Sequence, residues 1–256
     1  MEEKQVMKVF LSALEQKSRK AYEYIIQHVP EFEWNLMSYY YIQKGAPCYK
    51  DIIKRSKTIL IDSGAHSFQK GAKVDWFEYT KKYAEWIKEH DCDKIIGYFE
   101  MDIDNVIGYD NVLKLRAILE SVSDKIIPVW HKNRGIENFI DMCKQYSGKI
   151  IAVTGFRNED IKDEQYIKFL KVAKKYNCKV HCLGMTRKEI LNKVPFDYTD
   201  SSSWSMNAAF GKAGGVKVSR DMTRGENLKK TYLANYKEGM VFQKHFYNKW
   251  KYLHKD

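Results

Sequence analysis

The stretch Phe-Asp-Tyr-Thr-Asp-Ser-Ser-Ser-Trp, residues 196–204, sets Asp197 and Asp200 behind a short apolar lead-in and follows them with three small hydroxyl residues. A segment that starts as a buried strand and finishes on a carboxylate can cap the next helix, or it can present an acid for chemistry at a strand end. The pattern recurs along the chain. Asp62 and Ser63 follow Thr-Ile-Leu-Ile, Glu100, Asp102 and Asp104 follow Ile-Ile-Gly-Tyr-Phe, and His131 follows Ile-Ile-Pro-Val-Trp. Thr154 with Gly155, then Gly184, then Ser219 with Arg220 close other such runs. One aspartate at one such place reads as a helix cap. Glu100, Asp102 and Asp104 alternate, so they are expected on one face, and capping needs only one acid. If these ends meet at one mouth, residues distant in sequence become candidates for proton transfer and nucleophilic attack. Asp197 lies an odd number of residues before Asp200, so the two are expected on opposite faces of their strand.

The elements that must position these residues show in the periodicity. Eight runs rich in Ile, Val and Tyr read as strands: 34–42, 58–64, 94–102, 125–131, 149–155, 179–184, 196–201 and 214–219. Amphipathic segments separate most of them. Residues 75–90 place Trp76, Thr80, Tyr83, Ala84 and Ile87 at helical spacing behind an Asp75/Glu78 capping pattern, and Tyr166, Leu170 and Ala173 share another helix face. Strands apolar on both faces and separated by helices predict a parallel sheet, and eight such units predict a closed α/β barrel of the (β/α)8 TIM type. A doubly wound open sheet is the alternative. Residues 6–28 read as an N-terminal helix and 222–256 as a C-terminal helical extension, and the whole of 1–256 reads as one domain.

The net charge of +11 comes from 44 Lys and Arg spread along 256 residues. An excess of this size favours a polyanionic partner such as nucleic acid, against a plain compositional bias. Five cysteines without a CxxC pair read as reduced thiols, and Cys178, His181 and Cys182 on one strand cannot converge on a metal. No metal and no cofactor are therefore expected. The N-terminal segment lacks both a signal-peptide core and a membrane span, so no membrane partner and a soluble, cytoplasmic location are expected. The sequence leaves the oligomeric state open.

At four places the residues resemble a known family. Ile-Asp-Ser-Gly-Ala-His-Ser-Phe-Gln (61–69) resembles the DSGGFQ-type motif of the tRNA-guanine transglycosylases. Tyr-Phe-Glu-Met-Asp-Ile-Asp (98–104) resembles its acidic base-reading strand end, His-Cys-Leu-Gly-Met (181–185) its next landmark, and Phe-Asp-Tyr-Thr-Asp-Ser (196–201) its paired-aspartate segment. The order is the family's, across residues 58–204. The family's CxCxxC zinc insertion has no counterpart, and two extra residues lie between the glycine and the aromatic of the first motif. This compact pattern is similar to the phage-associated branch that inserts 7-deazaguanine bases into DNA.

The resemblance implies a base-exchange transglycosylase that replaces guanine in DNA with a 7-deazaguanine, working in a host cytoplasm if phage-encoded. Asp200 would match the nucleophile and Asp62 the acid/base residue. Asp102, with Ser63, Phe68, Gln69, Gly155, Phe156 and Gly184, would bind the base. Beside the resemblance, the basic residues His131, Lys132, Arg134 and Arg220 at strand ends are candidates for nucleic-acid contacts on their charge. Base exchange with retention is a double displacement, which needs one carboxylate to attack the sugar and a second residue to manage the base's proton. The target nucleotide must be single-stranded or flipped. The alternatives are a tRNA substrate, a nucleosidase or glycosidase that uses water as acceptor, and a non-catalytic nucleic-acid-binding barrel.

Overall fold

Runs in which consecutive residues are apolar cannot leave one face in water, and here seven of the eight expected runs contain a strand covered on both sides. The computed structural model describes residues 6–68, 73–154, 161–212 and 224–252. The strands are β1 Lys8–Ser12, β2 Phe32–Ser38, β3 Ser56–Asp62, β4 Ile95–Phe99, β5 Ile126–Ile127, β6 Val129–Trp130, β7 Ile150–Thr154, β8 Lys179–Leu183 and β9 Tyr198–Ser201. All pairs are parallel, in the order β5-β4-β3-β2-β1-β9-β8-β7-β6. β5 and β6 are one segment broken at Pro128, which has no N–H to give a ladder. Its carbonyl still accepts from Ala152 N at 2.9 Å. That broken segment pairs with β4 on one side and β7 on the other, so the sheet closes into a (β/α)8 barrel.

The helices are α1 Arg19–His28, α2 Tyr39–Gln43, α3 Tyr49–Arg55, α4 Trp76–His90, α5 Asp104–Ile107, α6 Tyr109–Glu120, α7 Gly135–Gln145, α8 Tyr166–Lys175, α9 Lys188–Leu191, α10 Ser203–Ala209 and α11 Arg224–Tyr252. Asp75 caps α4 as expected, its Oδ1 accepting from Glu78 N at 3.0 Å. Side-chain alternation sorts the core into layers. Phe10, Trp34, Leu60, Phe99, Ile127, Ala152 and Tyr198 fill the barrel. Their neighbours, among them Ile59, Ile61, Tyr98, Ile151 and Cys182, face the helices.

Two expectations need correction. Residues 6–28 are not one helix: Lys8–Ser12 is the strand that closes the barrel, buried on both faces, and only Arg19–His28 is helical. Ala13, at φ 75°, takes the chain out of β1 in a conformation no α-helix contains. The run 34–42 also changes character, because β2 ends at Ser38 and Tyr39–Gln43 turns into α2. The strand expected at 214–219 lies outside the described residues, and the barrel closes β1 to β9 independently of it.

The C-terminal segment is the 29-residue helix α11, which covers the outside of the β1–β2 seam. That seam has a short ladder, with register pairs only at Leu11↔Asn35 and Ser12↔Leu36. Gln243 of α11 completes it, its Nε2 donating to Val9 O at 2.7 Å and Trp34 O at 2.8 Å. Tyr236 adds a bond to Asn35 Oδ1 at 3.0 Å. Gly239 lets the helix come close, since a Cβ there would stand 3.0 Å from Leu11 Cδ1. Gln243→Ala strands two buried carbonyls and is expected to destabilise the fold by about 1–3 kcal/mol, read as a lower denaturant midpoint with an unchanged slope.

Candidate active site at the barrel mouth

The strand ends enclose a cavity of about 760 Å³ at the carboxyl-terminal face, walled by Asp62, Asp102, Asp104, His131, Gly184 and Asp200 among others. This is the face on which parallel barrels place their polar ends, because interior positions below it are packed with apolar side chains.

Asp200 sits on β9 directly above the barrel core. Its Oδ1 accepts from His181 Nε2 at 3.0 Å and from Gly184 N at 2.8 Å, and its Oδ2 accepts a longer bond from Ser12 Oγ at 3.3 Å. His181 is fully buried among Phe10, Phe99 and Tyr198, and its Nδ1 has no hydrogen-bond partner. Asp197 faces away, as the odd offset requires. Its Oδ2 accepts from Val180 N at 2.8 Å and so ties β9 to the start of β8. Cys182 and His181 lie on opposite faces of β8, Cys182 packing outward.

Asp62 ends β3, and its Oδ2 accepts from Gly64 N at 2.8 Å. Burial pushes its pKa up to about 6, with the charges of Asp200 and Asp102 adding to the effect and His66 and the Gly64 bond opposing it. Gly64 is obligatory here: φ is +77°, and a Cβ would lie 2.4 Å from Tyr40 Cβ. Two phenols of α4 fix this strand end from behind, Tyr79 donating to Ser63 O at 2.6 Å and Tyr83 to Ile61 O at 3.3 Å.

Asp102 is held by two imidazoles. His131 Nε2 bonds its Oδ1, and His66 Nε2 bonds its Oδ2 at 2.9 Å. Burial alone would raise the Asp102 carboxyl, but the bonds from His131 and His66 prevail and hold it well below the usual carboxylate range. His66, at the rim, is raised to about 8 by its bond to Asp102, with burial opposing. Glu15, in the loop after β1, adds a further acid to the wall. Its Oε1 accepts from Ser38 N at 3.2 Å, its Oε2 has no partner, and burial raises it to about 7.

The structure corrects several expected roles. Glu100 does not share the face of Asp102. β4 ends at Phe99, and Glu100 turns outward to meet Arg116 of α6 through two bonds, of 2.6 and 3.0 Å, and Val129 N at 2.6 Å. Arg134, expected on phosphate, is only 5% exposed. It donates twice to Asp104 Oδ2, at 2.8 and 3.0 Å, and once to Val129 O, and it stacks on Tyr109 at 4.1 Å. His131 is turned into the cavity toward Asp102. Phe68 does not line the cavity: it packs against Tyr40, Trp76 and Tyr79 with ring centroids 4.9–5.1 Å apart, so it anchors the His66 turn instead of stacking on a base. Ser63 is buried and also off the cavity wall, its hydroxyl without a partner. Lys132 is exposed beside the mouth. Gln69, Gly155, Phe156 and Arg220 lie outside the described residues.

Sequence reasoning missed Ser12, Glu15, His66 and His181. The first two lay within the expected N-terminal helix. His66 is part of the two-residue expansion of the first motif, and His181 read as structural because side chains alternate along its strand and could not converge with Cys178 and Cys182 on a metal.

No family model matches the sequence, and no curated protein matches it. A solved structure does: a protein described as a fructose-1,6-biphosphate aldolase from Coccidioides immitis superposes with a TM-score of 0.57 at 12% identity, over 97% of this chain and 93% of that one. That likeness shows the barrel fold. Among the described residues no helix is long and apolar enough to cross a membrane.

The raised pKa of Asp62 has a thermodynamic signature. The folded chain keeps this proton up to about pH 6, whereas an unperturbed aspartate releases it near 3.8. The folded state therefore binds more protons in that window, and stability falls as pH rises through it. Asp62→Asn should remove this slope, so the variant gains stability relative to the parent between about pH 4 and 6. Denaturation midpoints measured for both proteins across that range check it.

Proposed function

We propose that this barrel exchanges a base at the anomeric carbon of a deoxyribosyl unit, replacing guanine in DNA with a 7-deazaguanine through a covalent aspartyl-glycosyl intermediate. The observation that carries the reading is that Asp62 and Asp200, 138 positions apart in the sequence, wall one cavity in different settings. A proton-transfer group works best with a pKa near the working pH, and the Asp62 carboxyl at about 6 meets that need. Asp200 is oriented by donors on both oxygens, the Oδ1 edge held twice and Oδ2 only by the long bond from Ser12. Attack by Oδ2 on the anomeric carbon displaces guanine, and Asp62 protonates the departing base. The incoming 7-deazaguanine loses its proton to Asp62 and attacks the glycosyl ester, which regenerates both acids.

Asp102 takes a modified part in this scheme. Both its oxygens are engaged by histidines, so a base would meet a His–Asp–His cluster, with donors and an acceptor together, instead of a bare carboxylate. The +11 charge favours a polyanionic substrate, and a base held in this cavity must leave its stack.

The direct test is incubation with guanine-containing DNA, and separately with tRNA, plus candidate 7-deazaguanines, followed by nucleoside mass spectrometry. Incorporation into DNA supports the proposal, and incorporation into tRNA alone moves the substrate. Free guanine without incorporation identifies a hydrolase, and no change in either nucleic acid overturns the reading.

Two variants separate the roles. Asp200→Ala should abolish exchange of labelled guanine and any denaturation-resistant adduct with DNA. Asp62→Asn should keep DNA binding and slow turnover by roughly 10² to 10⁴. Affinity for DNA should drop steeply between low and physiological salt as counterions are released. A filter-binding series across salt concentrations measures this.

A further inference from the structure

The side of the mouth formed by β3, β4 and β6 carries a group of donors beyond the two acids that make and break bonds in the exchange. Asp102 and Asp104 follow β4, His131 follows β6, and His66 lies on the turn after β3. One ligand atom each from Asp102, Asp104 and His131 lies within 4.8 Å of the others. His66 Nε2 stands beside this group, bonded to Asp102 Oδ2 at 2.9 Å. All four residues line the cavity. We propose that Asp102, Asp104 and His131 form a binding site for one first-row transition-metal dication, open toward the cavity, with His66 beside it orienting Asp102.

Three features distinguish this group from an ordinary solvated cluster. Its donors are mixed, with an imidazole nitrogen among carboxylate oxygens, a set that suits zinc, manganese or iron better than magnesium or calcium. It is also held from outside, as ligating groups usually are. Arg134 grips Asp104 Oδ2 and leaves Oδ1 facing His131 Nε2 at 3.9 Å. His131 Nε2 and Asp104 Oδ1 stand 3.9 Å apart, near the roughly 3.4 Å between donors in a tetrahedral site with bonds of about 2.1 Å, whereas His131 Nε2 and Asp102 Oδ1 are in direct hydrogen-bond contact that a cation would open. The third feature is a buried polar atom without a partner. Thr154 Oγ1 lines the same cavity with no hydrogen bond, and the register Trp130↔Val153 carries Thr154 alongside His131. A water on the cation would give that hydroxyl a partner.

Cysteine spacing rules out a thiolate cluster but has no bearing on this oxygen and nitrogen set. A dication would replace the protons that now lie between the imidazoles and Asp102, releasing them on binding. Its open positions would face the space in which a substrate's oxygen or nitrogen atoms sit, whatever reaction the cavity performs.

The test uses the full chain, stripped with a chelator, dialysed, and titrated with cobalt(II) without substrate, so its outcome is separate from that of the exchange assay. One equivalent should bind with visible d–d absorption, be displaced by zinc, and resist a large excess of magnesium. Asp102→Asn and His131→Gln should lose the absorption, and Lys132→Ala, an exposed neighbour that is not a donor, should keep it. His66→Gln changes a side chain 69% exposed. It should alter the spectrum and lower the affinity even if the two inner variants fail to fold. No saturable one-equivalent binding by the folded parent, or binding unaltered in His66→Gln and in every folded inner variant, would overturn the proposal.

Discussion

The pairing of β1 with β9 is the constraint on which the rest of the molecule depends. It joins residues 8–11 to 198–201 and turns an open parallel sheet into a closed barrel. Closure makes a dry interior, and a dry interior forces every polar group at its upper edge to find a partner. Asp200 shows the result. Its bonds come from β1, from β8 and from the turn after β8, and Ser12 reaches it across 188 positions of sequence. Without the β1–β9 ladder, Asp200 would lose Ser12 and His181 would lose the aromatic wall contributed by Phe10.

The same economy of partners divides the mouth into two halves. On one side Asp62 and Asp200 face the cavity with few compensating cations, and burial keeps the Asp62 proton at home. On the other, Asp102 and Asp104 are held by His66, His131 and Arg134. Glu100 and Arg116 neutralise each other one layer further out, between barrel and helices, where a lone charge would be costly. With Glu15 on the same wall, six carboxylates in or near one opening occupy different environments, and different environments are what allow like side chains to take different chemical parts.

Rigidity is supplied from outside the barrel. The α4 tyrosines pin the end of β3, the cluster of Phe68, Tyr40, Trp76 and Tyr79 anchors the turn bearing His66, and Gln243 of α11 bridges the carbonyls that β1 and β2 leave unpaired. Gly64 gives the turn after β3 its left-handed backbone, and Gly64 N to Asp62 Oδ2 and Ser67 N to Gly64 O close it from within.

The sequence alone determined what depends on near neighbours along the chain. Apolar runs with helical segments between them specified the parallel barrel, the Asp75 cap was legible from its spacing, and an odd offset was enough to turn Asp197 away from Asp200. It also marked Asp62, Asp102 and Asp200 as strand-end acids. Tertiary structure decided everything that depends on where a strand stops and what lies across from it. Lys8–Ser12 looked helical in a charged N-terminal segment and became a strand because β2 and β9 offered it two edges. Glu100 shares an alternation pattern with Asp102, but β4 ends at Phe99, and beyond a strand's end the pleat no longer dictates direction. Arg134 and Phe68 had the right chemistry for phosphate and base, and Asp104 and the α4 aromatics claimed them first. His66, Glu15 and His181 acquired meaning only from partners 19 to 36 positions away in sequence, Asp102, Ser38 and Asp200. Periodicity is written locally, whereas the competition of buried groups for partners is settled only when the chain has closed on itself.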